Sequence, residues 1–97
     1  MEQIAFVARL RSECKDAYIE AHRNFSPELK EKYLAAGVRQ ILLFLRGEQL
    51  FMYVEADDFE KAQAFLASDQ LDQLWQQQVG PMKEPDFQPL TEVFRLQ

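Results

Sequence analysis

Apolar residues first alternate with polar ones and then recur at helical spacing, and the changes of period divide the chain into elements. Over 4–10 the period is two, with Ile4, Phe6, Ala8 and Leu10 on one face and Ala5, Val7 and Arg9 on the other, as a strand requires. Next, Cys14, Ala17, Tyr18, Ala21, His22 and Phe25 fall at i, i+3, i+4, i+7, i+8 and i+11. That is the stripe of an amphipathic helix, which Ser12 is placed to cap. Lys15, Asp16, Glu20 and Arg23 take its wet side. Ser26-Pro27-Glu28 opens a second helix with a capping hydroxyl, a proline in the first turn and an acid at the positive dipole end. Gly37 terminates it. Residues 38–45 read as a strand apolar on both faces, with Ile41, Leu43 and Leu45 against Val38, Leu42 and Phe44. Arg46-Gly47-Glu48 is a short hairpin connection, and 50–56 return as a strand carrying Glu55. Asp57 and Asp58 cap a third helix that turns Phe59, Ala62, Phe65 and Leu66 inward. Ser68-Asp69 opens a fourth, with Leu71, Leu74 and Trp75 on its apolar side. Gly80-Pro81 ends it, a loop with Pro85 and Pro89 follows, and 90–96 are expected to form the last strand.

The order β-α-α-β-β-α-α-β predicts an α+β fold, a ferredoxin-like split βαβ arrangement with an antiparallel sheet and helices on one face. A strand that is apolar on both sides leaves one side uncovered in such a sheet. An exposed apolar face marks an interface, so the expected assembly is a homodimer packed sheet to sheet.

Composition narrows the functional classes. Ninety-seven residues, 47% of them hydrophobic and eight of them Phe, predict one domain over 1–97 that is marginal on its own. The net charge is −5 and no Lys/Arg run exceeds two, so a phosphate backbone finds no positive surface and nucleic acid is not an expected partner. No apolar run is long enough to cross a membrane, and Met1-Glu2-Gln3-Ile4 has no positive leader region. The lone Cys14 cannot form an internal disulfide, which points to a reducing, cytoplasmic setting. One His and one Cys offer no metal-ligand spacing, so no metal is expected.

His22 is the only histidine, and it lies one turn from Tyr18 on the inward stripe. An imidazole titrates near neutrality and suits proton transfer. By itself, such a pair is more often the hydrogen-bonded edge of a core, and Trp75 beside Leu71 and Leu74 reads most simply as core filler. Glu28 serves the helix N-terminus. Glu55 either orients a pocket group or pairs with Arg9 or Arg39. Neither carboxylate has the near partner that glycosidase chemistry requires, and Asp57-Asp58 reads as a cap, not a metal site.

The collinear run changes that balance. Ala5-Phe6-Val7, Tyr18-x-x-x-His22, Pro27-Glu28-Leu29, Gly37, Glu55, Ser68 followed seven residues later by Trp75, and Glu92-Val93-Phe94-x-Leu96 together resemble the L-rhamnose mutarotases over almost the whole chain. The resemblance implies a cytoplasmic dimer of the dimeric α+β barrel type that interconverts the α and β anomers of a 6-deoxy-L-sugar without a cofactor. It implies His22 as the acid/base, Tyr18 as a substrate contact and Trp75 as the first of two adjacent tryptophans. Two positions depart: Gln76 replaces the second tryptophan, and Ile41 replaces a pocket tyrosine. The chemistry agrees with those residue types. Mutarotation removes a proton from the anomeric hydroxyl and delivers one to the ring oxygen, steps that one imidazole near both oxygens can serve in either direction. Two other readings suit the scaffold, a cofactor-free or haem-linked monooxygenase and a non-catalytic sugar-binding dimer.

Overall fold

The computed structural model describes residues 1–97, beginning with β1 (Glu2–Arg9) and, after a 3-10 turn (Ser12–Cys14), α1 (Lys15–Arg23). There follow α2 (Pro27–Ala35), β2 (Val38–Arg46), β3 (Gln49–Ala56), α3 (Phe59–Ala67), α4 (Gln70–Val79), a second 3-10 turn (Gly80–Met82) and β4 (Gln88–Pro89). The strands lie in the order β2-β3-β1-β4 with every pair antiparallel. This is the ferredoxin-like topology expected from the element order.

Local chemistry sets most of the boundaries. The Ser26 hydroxyl accepts from the Leu29 N–H at 3.3 Å, Asp58 Oδ1 from the Lys61 N–H at 3.1 Å, and Asp69 Oδ1 from the N–H groups of Leu71 and Asp72 at 2.9 and 3.2 Å. Each cap satisfies amides that the first turn of a helix leaves free. Ser12 does not cap. It opens the 3-10 turn, whose own backbone bond from Cys14 N–H to Arg11 C=O at 2.9 Å occupies the place such a cap would take. Gly37, at φ 95°, turns the chain from α2 into β2 and accepts the Asp57 N–H at 2.9 Å, a backbone conformation that L side chains resist.

The helix-facing side of the sheet carries two core clusters. Phe6, Val38, Val54 and Ala56 pack with Ala62 and Leu66 of α3; Ala8, Leu10 and Leu50 pack with Tyr18 of α1 and Val79 of α4. Leu10 is completely enclosed. A cavity between helices and sheet is lined by residues of both clusters. On the opposite face, the register lines up Val7, Phe51 and Phe44 in one cross-strand row and Ala5, Tyr53 and Leu42 in the next. Gln3, Glu55 and Gln40 border the rows at one end, and Arg9, Gln49 and Arg46 at the other. Phe44 is 58% exposed and Leu42 40%. An apolar centre with a polar border lies open to solvent.

Three further expectations are corrected. The strand expected over 90–96 does not form. Pairing with β1 is confined to Gln88 and Pro89, extended by the Leu90 N–H donating to Ala5 C=O at 2.8 Å. Beyond that bond Val93, Phe94 and Leu96 are 92, 76 and 86% exposed. Phe65 and Leu74 point outward rather than into the core. In α4 the inward residues are Asp72 and Val79, with Trp75 half-buried between them, so the helix is rotated relative to its most hydrophobic stripe. Glu55 lies on the open face, accepting from Tyr53 O–H at 2.7 Å and Gln3 Nε2 at 3.3 Å. Arg9 pairs instead with Glu48, and Arg39 with Asp57.

Candidate active site

Tyr18, His22 and Trp75 meet at the wall of one cavity of about 800 Å³ between the helices and the sheet. The i to i+4 spacing sets the Tyr18 and His22 rings 4.4 Å apart with their planes tilted by 42°, and α4 brings the Trp75 indole edge-on to the imidazole at 4.9 Å. Phe25, just beyond α1, packs against Trp75 at 4.9 Å and Tyr33 at 5.8 Å. The imidazole is thus held on two sides by aromatic packing. A second hollow, of about 540 Å³, lies outside α1 and α4; it shares Trp75 but not His22 or Tyr18.

The protonation pattern of His22 follows from its neighbours. Nδ1 lies 2.8 Å from the Tyr18 carbonyl oxygen. A carbonyl can only accept, so Nδ1 carries the hydrogen and Nε2 of the neutral ring keeps its lone pair. Partial burial pushes the His22 pKa below its ordinary 6.5; the Tyr18 carbonyl opposes this, and the charge of Lys83 adds to it. The resting imidazole is therefore neutral at physiological pH, ready to take a proton. Burial, with the nearby Asp86 charge, raises the Tyr18 phenol well above its usual range. The Tyr18 phenol therefore stays neutral, with its O–H intact, through the physiological range.

A pH profile follows. Protonation removes the lone pair, so the rate of any reaction in which His22 takes a proton should be flat through neutral pH. It should then fall about tenfold per pH unit on the acid side of a titration lying below 6.5. Enzyme-dependent rate measured above buffer background, from pH 8 down to pH 5, checks this. A rate that climbs toward acid would contradict a neutral resting base.

Other cavity residues were not apparent from the sequence pattern. Lys83, with its side chain only 4% exposed, pairs with Asp86 at 3.0 Å and sits over the Phe87 ring at 4.3 Å. Tyr33 O–H donates to Asp72 Oδ1 at 2.5 Å, and Gln76 Nε2 approaches the same oxygen at 3.5 Å. Asp72, Trp75, Gln76 and Val79 are spaced i, i+3, i+4, i+7 on α4. The helical-face signal was present, but it was carried by an acid and an amide, which a search for hydrophobic positions passes over. Nothing local in Met82-Lys83-Glu84 announces a buried lysine. Ile41 and Gln76, the two departures noted above, both line the cavity.

The sequence profile of the L-rhamnose mutarotases matches residues 3–96. The chain belongs to the L-rhamnose mutarotase family. Family membership makes it a carbohydrate isomerase of the mutarotase type. The L-rhamnose mutarotase of Opitutus terrae is 33% identical over 99 residues, 95% of each chain. A crystal structure of the L-rhamnose mutarotase from Formosa agariphila superposes over 100% of both chains with a TM-score of 0.83 and 26% identity. A structure described as a putative antibiotic biosynthesis monooxygenase from Bordetella bronchiseptica shares the fold, with a TM-score of 0.67 over 99% of this chain and 100% of its own. At 18% identity that likeness concerns architecture only.

Proposed function

We propose that this member of the mutarotase family opens and closes the ring of an L-aldopyranose of the L-rhamnose type, with His22 as the single acid/base group. The observation that carries the reading is the Nδ1 contact with the Tyr18 carbonyl, because it leaves Nε2 as the only imidazole nitrogen free to act. Nε2 takes the proton of the anomeric hydroxyl as the C1–O5 bond breaks. The resulting imidazolium returns a proton to O5, which yields the free aldehyde and a neutral His22. Rotation about C1–C2 presents the other carbonyl face, and the reverse transfers close the ring. No net proton or electron is consumed, so the cycle needs no cofactor. The Tyr18 O–H donates to a sugar oxygen beside the reacting centre, and the Trp75 indole offers an apolar plane to the C–H face of the ring.

We further infer a homodimer packed through the open sheet face, supported by the apolar rows with their polar borders. A cytoplasmic location agrees with the single thiol of Cys14. Saturation-transfer NMR on the anomeric protons tests the activity: with L-rhamnose or, failing that, L-fucose, exchange should exceed the buffer rate and be indifferent to metal chelators. No acceleration with any aldose tried would overturn the reading.

A further inference from the structure

The Tyr33–Asp72–Gln76 cluster is unused by the proton chemistry, yet it occupies the cavity wall directly beside Trp75. Asp72 is only 6% exposed, and burying a carboxylate is costly unless its oxygens find donors. Both donors converge on one oxygen. Tyr33 O–H is 2.5 Å from Oδ1 and Gln76 Nε2 is 3.5 Å from it, while no protein side chain donates to Oδ2. The anchoring is nonlocal, since Tyr33 comes from α2, and it fixes the carboxylate of a cavity-lining residue with half its acceptor capacity open. Carboxylates with spare lone pairs are strong acceptors for hydroxyl groups, and charge assistance roughly doubles such a bond.

We propose that Asp72 is a specificity-determining residue that accepts a hydrogen bond from a sugar hydroxyl, with Tyr33 and Gln76 as the residues that position it. The placement narrows which hydroxyl. His22 must lie close to both O1 and O5, and its ring packs edge-to-face against Trp75, one helical turn from Asp72. The substituents flanking the reacting C1–O5 edge of a pyranose are the hydroxyl on C2 and the C6 group on C5. A 6-deoxy sugar offers a methyl group at C6, which gives a carboxylate nothing. The substrate class assigned is therefore an L-aldopyranose bearing a hydroxyl on C2, C6 or both, oriented to the Asp72–Gln76 wall.

This inference rests on the mutarotase reading, and its test keeps the two separate. kcat and KM for anomer exchange are measured with matched sugar pairs: L-mannose against L-rhamnose, which differ only in the C6 hydroxyl, and L-rhamnose against its 2-deoxy analogue. The variant is Asp72→Asn. It is nearly isosteric, and its single amide oxygen can keep the Tyr33 bond. That arrangement turns an NH2 toward the cavity, where the wild type has an acceptor. In the wild-type protein the hydroxylated member of at least one pair should be favoured by about 10-fold or more in kcat/KM, chiefly through KM. In Asp72→Asn that preference should collapse, the hydroxylated member of the pair losing at least several-fold more in kcat/KM than the other. A purely structural Asp72 would lower both members together, so the ratio separates the two roles. Equal losses across every pair, or a preference that survives the substitution, overturn the inference while leaving mutarotation intact. Absence of exchange with every sugar in the wild type overturns the mutarotase reading and this inference with it.

Discussion

Replacing His22 with alanine is expected to slow anomer exchange by on the order of 10²-fold or more, the usual worth of one well-placed proton-transfer group. At about 1.4 kcal/mol per factor of ten, that is roughly 3 kcal/mol of barrier. The fold should survive. His22 is half-buried at the rim of the cavity, and its one hydrogen bond runs to a carbonyl of its own helix. The rings around it, Tyr18 and Trp75, are held independently by the second core cluster and by Phe25. Circular dichroism should therefore show a native helix signal beside the lost activity. Added imidazole should restore part of the rate by filling the vacated space with the missing base. The proton argument also predicts an asymmetry. His22→Gln retains an amide that can meet the Tyr18 carbonyl but has no titratable nitrogen, so it should be as inactive as the alanine variant. Near-native turnover in His22→Ala would defeat the assignment. Glu55 would not then inherit the role, because its side chain lies on the far face of the sheet beside Tyr53 and Gln3. The carboxylates that line the cavity are Asp72 and Asp86.

Where sequence reading succeeded and failed follows from the range of the interactions concerned. Caps at Ser26, Asp58 and Asp69, the Gly37 turn and the Gly47 hairpin are written within a few residues, and the structure reproduces them. Tyr18 and His22 were legible for the same reason, since four residues along one helix suffice to make them neighbours. The Tyr33–Asp72 bond joins positions 39 apart, and no local period encodes it. Lys83 is buried by the arrangement of a loop, not by its own character. The 90–96 segment failed in the opposite sense. Its apolar residues have the composition of a strand, yet the ladder with β1 stops at Leu90 and only the Arg95 side chain reaches back to Gln3. Residues that waste their burial in the isolated chain are also the best pointers to what lies outside it.

The open sheet face is the largest such pointer, and a charge placed on it should split the proposed dimer. Leu42 and Phe44 stand on that face with Tyr53, Phe51, Val7 and Ala5 across the register, whereas Leu43 turns toward the helices and packs on the second core cluster. The alternation of β2 therefore separates two outcomes that adjacent substitutions would otherwise confuse. Wild-type protein at micromolar concentration should sediment at twice the chain mass, because burying these rows stabilises by about 25 cal/mol per Å² of apolar area. Leaving them in water would cost a domain of this size a large share of its stability. In an isologous interface each substitution appears twice, and an unpaired buried carboxylate costs about 3–5 kcal/mol. Leu42→Asp and Phe44→Asp should thus weaken association by more than roughly 10²-fold and give folded monomers with lower melting temperatures. Leu43→Asp should act on the fold itself. Its carboxylate would face the cavity and the packed helices, so the melting temperature should drop sharply with assembly affected only as a consequence. A fully active wild-type monomer, or a Phe44→Asp variant that remains dimeric with unchanged affinity, would show that the open face is not the contact. The same chains would then have to hide Phe44 and Phe51 in some other way, which a second set of substitutions on Val93 and Phe94 would reveal.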